Sequence, residues 1–163
     1  MSWTLDGRPV RRVLLSRLRY LGDVAMTTIL IEVLRRGDPD LTIGYLCEAD
    51  HGTLLADHPD LDRLHLLSVR RRGADAQARV RQGRTDSPVP PAGTLGMLRE
   101  LRRADYDLAV DLFFNPRSAG LLWLAGIRRR IGGTRGGRRR LYSHIVRRED
   151  IAAEPLARLA PGG

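Results

Sequence analysis

Residues 13–36 of the chain read VLLSRLRYLGDVAMTTILIEVLRR. The apolar run at 13–18 is typical of a strand that is covered on both faces. A turn with Gly22 and Asp23 follows the run and leads into an amphipathic helix. Ligands of α/β sheets bind beyond the carboxyl ends of the strands, where such turns lie. The stretch therefore predicts a parallel sheet with Asp23 at its ligand-binding edge.

The helix in this stretch has one strongly apolar face, with residues at i, i+3, i+4 and i+7. Its members are Met26, Ile29, Leu30 and Val33. We expect this face to pack on the core. Gly37 and Pro39 predict the end of the helix, because glycine favours the position after a helix and proline prevents its continuation.

Strands and helices alternate along the rest of the chain. A second strand is expected at 41–46, which completes a βαβ unit. The pattern predicts further strands at 64–67 and 106–113, a weaker strand from Ile131, an extended piece at 141–146, and helices at 51–57, 94–103 and 117–125. This alternation predicts an α/β fold with a doubly wound, mostly parallel sheet, which we place at residues 1–148.

Two segments differ in composition from this pattern. Residues 69–93 contain six arginines and a Ser-Pro-Val-Pro-Pro run. A loop of this length inside a compact domain is either functional or solvated. We expect a flexible loop, with an arginine-bearing flap for an anionic substrate as the alternative. Residues 149–163 end in Pro-Gly-Gly and are typical of a linker.

The 163-residue chain has a net charge of +9, and all 28 of its basic side chains are arginine. Arginine binds phosphates and carboxylates bidentately, so an anionic partner is one explanation and a G+C-rich genome is the other. The single cysteine, Cys47, excludes an internal disulfide and suits a reducing compartment. The sequence has no apolar run that could span a membrane and no signal peptide. We expect a cytoplasmic protein, and peripheral contact with the inner face of the cell membrane stays open.

Asp23 has two interpretations. An aspartate near a helix start often accepts hydrogen bonds from backbone N–H groups and is favoured by the helix dipole. The alternative is a general base, for which the carboxylate needs partial burial or a negative neighbour to keep its basicity. Gly22 either lets a substrate approach the backbone closely or simply forms the turn.

A second polar cluster follows the strand expected at 106–113. Residues 111–118 read DLFFNPRS and lie at the same predicted sheet edge as Asp23. Asn115, Arg117 and Ser118 would offer donors at a helix start, suited to sugar hydroxyls or an anionic group. Ordinary capping of the helix by Asn115 is the alternative.

Several other patterns do not support a site. Three Asp-x-Asp triplets, at 38–40, 60–62 and 105–107, precede predicted strands and so lie at the opposite sheet edge. Carboxylates in such turns are common caps, and we reject a metal role for them. The four histidines lack zinc spacing, and the chain has no G-x-S-x-G nucleophile motif. The glycines at 132–137 match neither dinucleotide-binding nor P-loop patterns.

The motifs resemble those of one known family in the order in which they occur. An opening strand carries R-L-x-x-L-G-D and runs into a helix that ends R-R-G-D-P-D. The pieces LTIGYL, HPDLDRLHLL, LRRADYDLAVDLFFNPRSAGLLWLAGIRRRIG and LYSHIV follow. Together they resemble the family 9 glycosyltransferases, the heptosyltransferases and relatives that build the lipopolysaccharide core.

The resemblance implies the Rossmann-like amino-terminal half of a two-domain GT-B enzyme. That half binds a glycan or glycolipid acceptor, and a carboxyl-terminal domain binds a nucleotide-sugar donor, here expected to be ADP-linked. The aspartate of the L-G-D turn is the family's proposed base, which carries over to Asp23. It takes the proton of the acceptor hydroxyl in a transfer that inverts the anomeric centre, without a bound metal or other cofactor.

Arg19 and Tyr20 stand where many relatives carry small hydroxyl residues, so we expect them to contact the acceptor beside the base. The resemblance also implies that residues 149–163 begin a missing donor-binding domain, without which the chain would be a weak or inactive enzyme. Two alternatives stay open: a non-catalytic basic module for nucleic acid or anionic lipid, and a non-functional truncated remnant. Scarce aromatic residues and interspersed acids argue against nucleic acid as a partner.

Overall fold

The computed structural model describes residues 3–68, 91–133 and 140–147. Most of the arginine-bearing loop predicted at 69–93 lies outside the described residues, and so does the linker predicted at 149–163. The glycine turn is described only at its first two positions, Gly132 and Gly133.

The predicted alternation of strands and helices is present, preceded by a short hairpin. The strands are β1 (Trp3–Leu5), β2 (Arg8–Val10), β3 (Arg12–Ser16), β4 (Thr42–Glu48), β5 (Arg63–Leu67), β6 (Leu108–Asp111), β7 (Arg129–Gly133) and β8 (His144–Val146). The helices are α1 (Leu21–Thr27), α2 (Ile29–Gly37), a 3-10 helix (Ala49–Leu54), α3 (Thr94–Ala104) and α4 (Pro116–Leu124). None of the helices in these described ranges is long and apolar enough to cross a bilayer.

Six of the strands form one parallel sheet in the order β5-β4-β3-β6-β7-β8. The strands that follow β3 in the chain, β4 and β5, lie on one side of it in the sheet. After β6, which lies on the other side of β3, the strands β7 and β8 continue away from β3. The point where the order reverses is therefore the gap between the carboxyl ends of β3 and β6, where Ser16 pairs with Asp111. The predicted α/β fold with a doubly wound, mostly parallel sheet is confirmed.

The sheet is covered on both faces, because residues alternate between two cores along each strand. Val13 and Leu15 face a core shared with α1, α2 and the 3-10 helix. Leu14 faces a second core, to which α3 and α4 contribute. The same alternation places the last residues of β3, β4 and β6 on the second face. These are Ser16, Glu48 and Asp111, and each is buried.

The hairpin of β1 and β2 was not predicted from the sequence. Its turn is Asp6-Gly7, with φ values of 53° and 69°. Asp-Gly between short extended runs is a strong hairpin signal, so the sequence did contain the information. Trp3 of this hairpin lies over α2, where a Cβ at Gly37 would come within 2.4 Å of its ring. The hairpin therefore covers the end of α2 and leaves no room for a side chain there.

The prediction for the apolar face of the first helix was wrong. The helix divides at Thr28, and the residues expected in the core are largely exposed: Met26 by 77%, Ile29 by 61% and Val33 by 50%. Leu30 alone of the predicted four packs on the core. Val24 and Ile31 are buried instead.

Thr27 supplies the physical reason for this rotation. Its hydroxyl lies 2.5 Å from the Tyr45 hydroxyl of β4, on the inward side of the helix. Tyr45 is fully buried, and burial raises its pKa to about 12. A buried phenol without a hydrogen-bond partner is costly, so the helix turns its polar threonine inward and an apolar row outward.

The Asp-x-Asp triplets act as caps at the amino-terminal edge of the sheet, as their capping interpretation predicted. Asp107 accepts hydrogen bonds from the backbone N–H groups of Arg11 and Arg12 at 2.9 Å each. Asp62 accepts one from the N–H of Ile43 at 2.7 Å. These carboxylates fix where β3 and β4 begin.

Gly44 of β4 makes room for a buried polar contact between His65 of β5 and Tyr106, two residues before β6. The Tyr106 hydroxyl passes over Gly44 and lies 2.7 Å from Nε2 of His65, while Nδ1 of His65 contacts Glu100 of α3. A Cβ on Gly44 would lie 2.0 Å from the Tyr106 hydroxyl oxygen. The glycine is thus required by close approach.

We predict that Gly44→Ala destabilises the protein by about 1–3 kcal/mol, because the new methyl displaces Tyr106 from His65. Urea-induced unfolding measures the change. Gly120→Ala is the matched control: Gly120 lies in α4 with nothing within 4 Å of an added Cβ, so alanine is expected to stabilise the helix by roughly 0.5–1 kcal/mol. Equal effects of the two substitutions would contradict this account.

Candidate active site at the strand-order reversal

Two segments meet where β3 and β6 end side by side. Asp23 lies in the first turn of α1, after β3, and Asn115 is the N-cap of α4, after β6. Their strands are hydrogen-bonded neighbours that end in register. The sequence expected both segments at one sheet edge, and the topology places them there.

Asp23 is half-buried and paired. Its side chain is 42% exposed, and its Oδ2 forms an ion pair with Arg17. Its Oδ1 has no partner among the described residues. No side chain caps α1 by a hydrogen bond, so the described contacts of this carboxylate are to a guanidinium and not to backbone N–H groups. One carboxylate oxygen is held by the protein, and the other is open.

Arg17 ties the two segments together. Its Nε donates to the carbonyl of Arg19 at 2.9 Å, and a terminal nitrogen donates to the carbonyl of Leu112 beyond β6. Its guanidinium lies 5.2 Å from the ring centroid of Phe113, a cation–π distance. Sequence reasoning missed Arg17 as a site residue. A cation directly after a buried strand and six residues before the acid was the available signal.

Arg19 lies on the other side of β3, against Glu48 at the end of β4. Its Nε is 2.6 Å from Oε1 of Glu48, and a terminal nitrogen of Arg117 from α4 lies 3.7 Å from the same oxygen. Glu48 has no exposed surface. Sequence reasoning missed this residue too, since it read β4 as an apolar strand that ends at residue 46.

Tyr20 and Gly22 border Asp23 on the solvent side. Tyr20 is 67% exposed, and nothing lies within 4 Å of a Cβ placed on Gly22. The protein therefore leaves open space beside the carboxylate. Tyr20 and Gly22 are accessible to a ligand beside Asp23. Their contact with an acceptor stays a prediction.

Asn115 and Ser118 form a capping box at the start of α4. The side chain of Asn115 accepts from the Arg117 N–H at 3.0 Å, and the Ser118 hydroxyl accepts from the Asn115 N–H at 3.3 Å. Ser118 is fully buried and donates its proton to Asp111 at 2.8 Å. The geometry thus assigns Ser118 to the scaffold and Asn115 to the helix cap, the alternative that the sequence left open. Arg117 is exposed.

Asp111 anchors this scaffold from the end of β6. It accepts from the Tyr142 hydroxyl at 2.7 Å, in addition to Ser118, and from the Phe113 N–H at 3.0 Å. Burial raises the pKa of Asp111, and these hydrogen bonds oppose the shift only in part. Tyr142 reaches the carboxylate by lying over Gly132 of β7, where a Cβ would be 2.4 Å from its ring.

The comparisons with known proteins agree with this fold. The sequence is 26% identical over 144 residues to lipopolysaccharide heptosyltransferase 3 of Escherichia coli (strain K12), covering 88% of this chain and 36% of that protein. The fold matches a family 9 glycosyl transferase from Veillonella parvula with a TM-score of 0.62 at 22% identity, over 84% of this chain and 35% of that one. The chain resembles family 9 glycosyltransferases. The resemblance predicted from the sequence is confirmed.

Other solved structures give the same result. E. coli ADP-heptose lipopolysaccharide heptosyltransferase II matches with a TM-score of 0.58 at 22% identity, over 82% of this chain and 34% of that one. E. coli heptosyltransferase WaaC with ADP-2-deoxy-2-fluoro heptose matches with a TM-score of 0.62 at 18% identity, over 83% of this chain and 42% of that one. No known protein-family model matches the sequence. The chain spans about a third of the length of the curated relative, 36% of it.

We predict that Asp111 makes the stability of the protein depend on pH. The unfolded chain ionises this group near 3.8, whereas the folded protein keeps its proton to higher pH, so the contribution of Asp111 to the free energy of unfolding falls as pH rises above that value. Relative to Asp111→Asn, the wild type should lose stability progressively as pH rises above about 4 in urea titrations. Asp57→Asn, an exposed change of the same charge, controls for net charge. A difference between wild type and Asp111→Asn that is constant with pH would contradict the assignment.

Proposed function

We propose that this chain supplies the acceptor-binding half of an inverting, heptosyltransferase-like glycosyltransferase. The observation that carries the proposal is the placement of Asp23, with one held and one open carboxylate oxygen, where the strand order reverses. Open α/β sheets bind their ligands in this crevice. The similarity to heptosyltransferases over 88% of the chain gives the class of reaction.

In the proposed reaction Asp23 is the general base. An acceptor hydroxyl donates a hydrogen bond to Oδ1, and its oxygen attacks the anomeric carbon of the donor sugar. The bond from that carbon to the nucleotide's phosphate oxygen breaks, its electron pair leaves with the phosphate, and the proton passes to Asp23. Attack from the face opposite the leaving group inverts the anomeric centre. Arg17 fixes the other oxygen, so the base meets the hydroxyl in one orientation.

We propose an ADP-linked sugar as the donor, with no metal or other cofactor. Among the related proteins, E. coli heptosyltransferase II is an ADP-heptose enzyme, and the WaaC structures contain ADP-2-deoxy-2-fluoro heptose or ADP. Residues 1–148 are the acceptor-side domain in this proposal, and 149–163 lead toward a donor-binding domain. Transfer needs both parts, because proximity of donor and base supplies much of the rate.

The acceptor is proposed to be a glycan or glycolipid. Tyr20 and Gly22 line the open side of Asp23, where a sugar ring fits against an exposed aromatic face and a bare backbone. Arg19 and Arg117 present guanidinium groups at the same edge, and Asn115 contributes the helix start beside them.

We further propose that the protein works at the inner face of the cell membrane. The outward row of α1 and α2 is apolar and begins two residues before Asp23. Its members are Leu21, Met26, Ile29 and Val33, each at least half exposed. An apolar helix face on a chain of net charge +9 suits an anionic lipid surface that carries the acceptor. A basic module for nucleic acid is not favoured, since the similarities are to heptosyltransferases.

The test of the base is Asp23→Asn. We expect transfer from ADP-heptose to a glycolipid acceptor to fall about 10²–10⁴-fold, because the amide cannot take the hydroxyl proton. The assay uses this chain together with the carboxyl-terminal domain of a related enzyme, and radiolabelled product is counted. Asp57→Asn is the control, being an exposed aspartate outside the site. Near wild-type transfer by Asp23→Asn would remove Asp23 from the mechanism.

The membrane proposal is tested on the outward row. Replacing Met26, Ile29 and Val33 with serine should weaken binding to phosphatidylglycerol vesicles by roughly tenfold or more, because the apolar area that enters the lipid is lost. Vesicle co-sedimentation measures the binding. Leu95→Ser with Trp123→Ser, two exposed apolar residues of α3 and α4, is the matched control. The proposal is wrong if the triple variant binds the vesicles as tightly as the wild type and high salt abolishes the binding. That result would mean that charge alone holds the protein on the vesicles.

A further inference from the structure

Glu48 is a buried carboxylate whose role the fold does not explain. It ends β4, its side chain has no exposed surface, and its Oε2 has no hydrogen-bond partner among the residues that the structure describes. Ser16 Oγ, on the same face of the neighbouring strand, is also buried and has no partner in the described ranges. A buried charge costs several kcal/mol unless it is paired, so a glutamate at this position needs a reason.

Its two contacts are arginines from different elements. Arg19 comes from the segment between β3 and α1, and Arg117 comes from the first turn of α4. Both approach the same oxygen, Oε1, with Arg19 Nε at 2.6 Å and an Arg117 terminal nitrogen at 3.7 Å. Two guanidinium groups repel each other. The Glu48 carboxylate between them offsets this repulsion, so Arg19 and Arg117 can lie close together at the carboxyl edge of the sheet.

The two arginines keep donors for a further ligand. Their side chains are 40% and 38% exposed, and Arg19 gives only its Nε to Glu48. The three side chains together carry a net charge of +1, whereas Arg17 and Asp23 neutralise each other. A positive, partly exposed pair of guanidinium groups with free N–H donors fits an anionic oxygen group.

We propose that Glu48 is a positioning residue that holds Arg19 and Arg117 as a pair for an anionic group, carboxylate or phosphate, of the acceptor. The location of the acceptor rests on the proposed function. Glu48 does not touch the ligand itself, because its oxygens are buried beneath the arginines. It sets the spacing and direction of their free N–H groups.

Glu48→Gln separates positioning from plain electrostatics. The substitution keeps the size of the side chain and removes a negative charge beside two arginines. If Glu48 were only a counter-charge, its removal would strengthen the binding of an anion. If Glu48 positions the pair, removal weakens the binding, by roughly fivefold to tenfold.

The measurement is a titration of the 163-residue chain with inorganic phosphate and, separately, with glucuronate, followed by ¹⁵N NMR of the arginine Nε–H signals. Spectra of Arg19→Gln and Arg117→Gln identify the two signals. Glu32→Gln is the matched control, since it removes a carboxylate paired with Arg36 on the outside of α2. Phosphate binding alone would assign a phosphate group, and glucuronate binding alone a carboxylate.

Binding of neither anion, or binding by Glu48→Gln as tight as in the wild type or tighter, overturns the proposal. If Glu48→Gln fails to fold, the exposed arginines still test it through a double-mutant cycle. Arg19→Gln and Arg117→Gln should each weaken anion binding, and the double variant should lose less than the sum; strict additivity would overturn the proposal. No donor or transfer step is involved, so this result is independent of the Asp23→Asn assay.

Discussion

The parallel pairing of β3 with β6 is the constraint on which the rest depends. Ser16 lies opposite Asp111, and the chain leaves these two strand ends in opposite directions along the sheet. Side chains bridge the resulting gap, beside the backbone hydrogen bond from the Leu112 N–H to the Ser16 carbonyl. Arg17 closes it by hydrogen bonding to a carbonyl beyond β6 while it holds Asp23. The site therefore arises from a topological feature that a few polar residues stabilise.

The strands that end at this gap carry buried polar side chains at their last residues. Asp111 collects hydrogen bonds from Phe113 in the turn after its own strand, from Ser118 of α4 and from Tyr142 beside β8, so one carboxylate links three parts of the fold. Such a network specifies one arrangement when every member is satisfied. Glu48 at the end of β4 is less satisfied: two arginines share one of its oxygens, and the other is unpaired within the described part of the chain. The contrast between the two carboxylates separates the structural role of Asp111 from the functional role proposed for Glu48.

The sequence predicted the elements whose signal is local. The strand and turn around Asp23 follow from an apolar run and Gly-Asp, and α4 follows from Asn-Pro before an apolar helix. The helix face could not be predicted in the same way, since both sides of residues 21–37 are apolar. The Tyr45 hydroxyl of β4 determines which side of the helix faces inward, because its hydrogen-bond partner is the Thr27 hydroxyl. Arg17 and Glu48 escaped prediction because their roles depend on which strands are neighbours.

The division of the first helix at Thr28 has a consequence for Asp23, the proposed base. A helix of seven residues is too short to be stable by itself, so α1 owes its position to what it packs against. Val24 provides apolar contact, and Thr27 hydrogen bonds back to the carbonyl of Asp23 while touching the Tyr45 phenol. Tyr45 is fully buried. The position of the Asp23 carboxylate in the crevice thus depends on Tyr45, a side chain beneath α1 that a sugar in the crevice cannot contact.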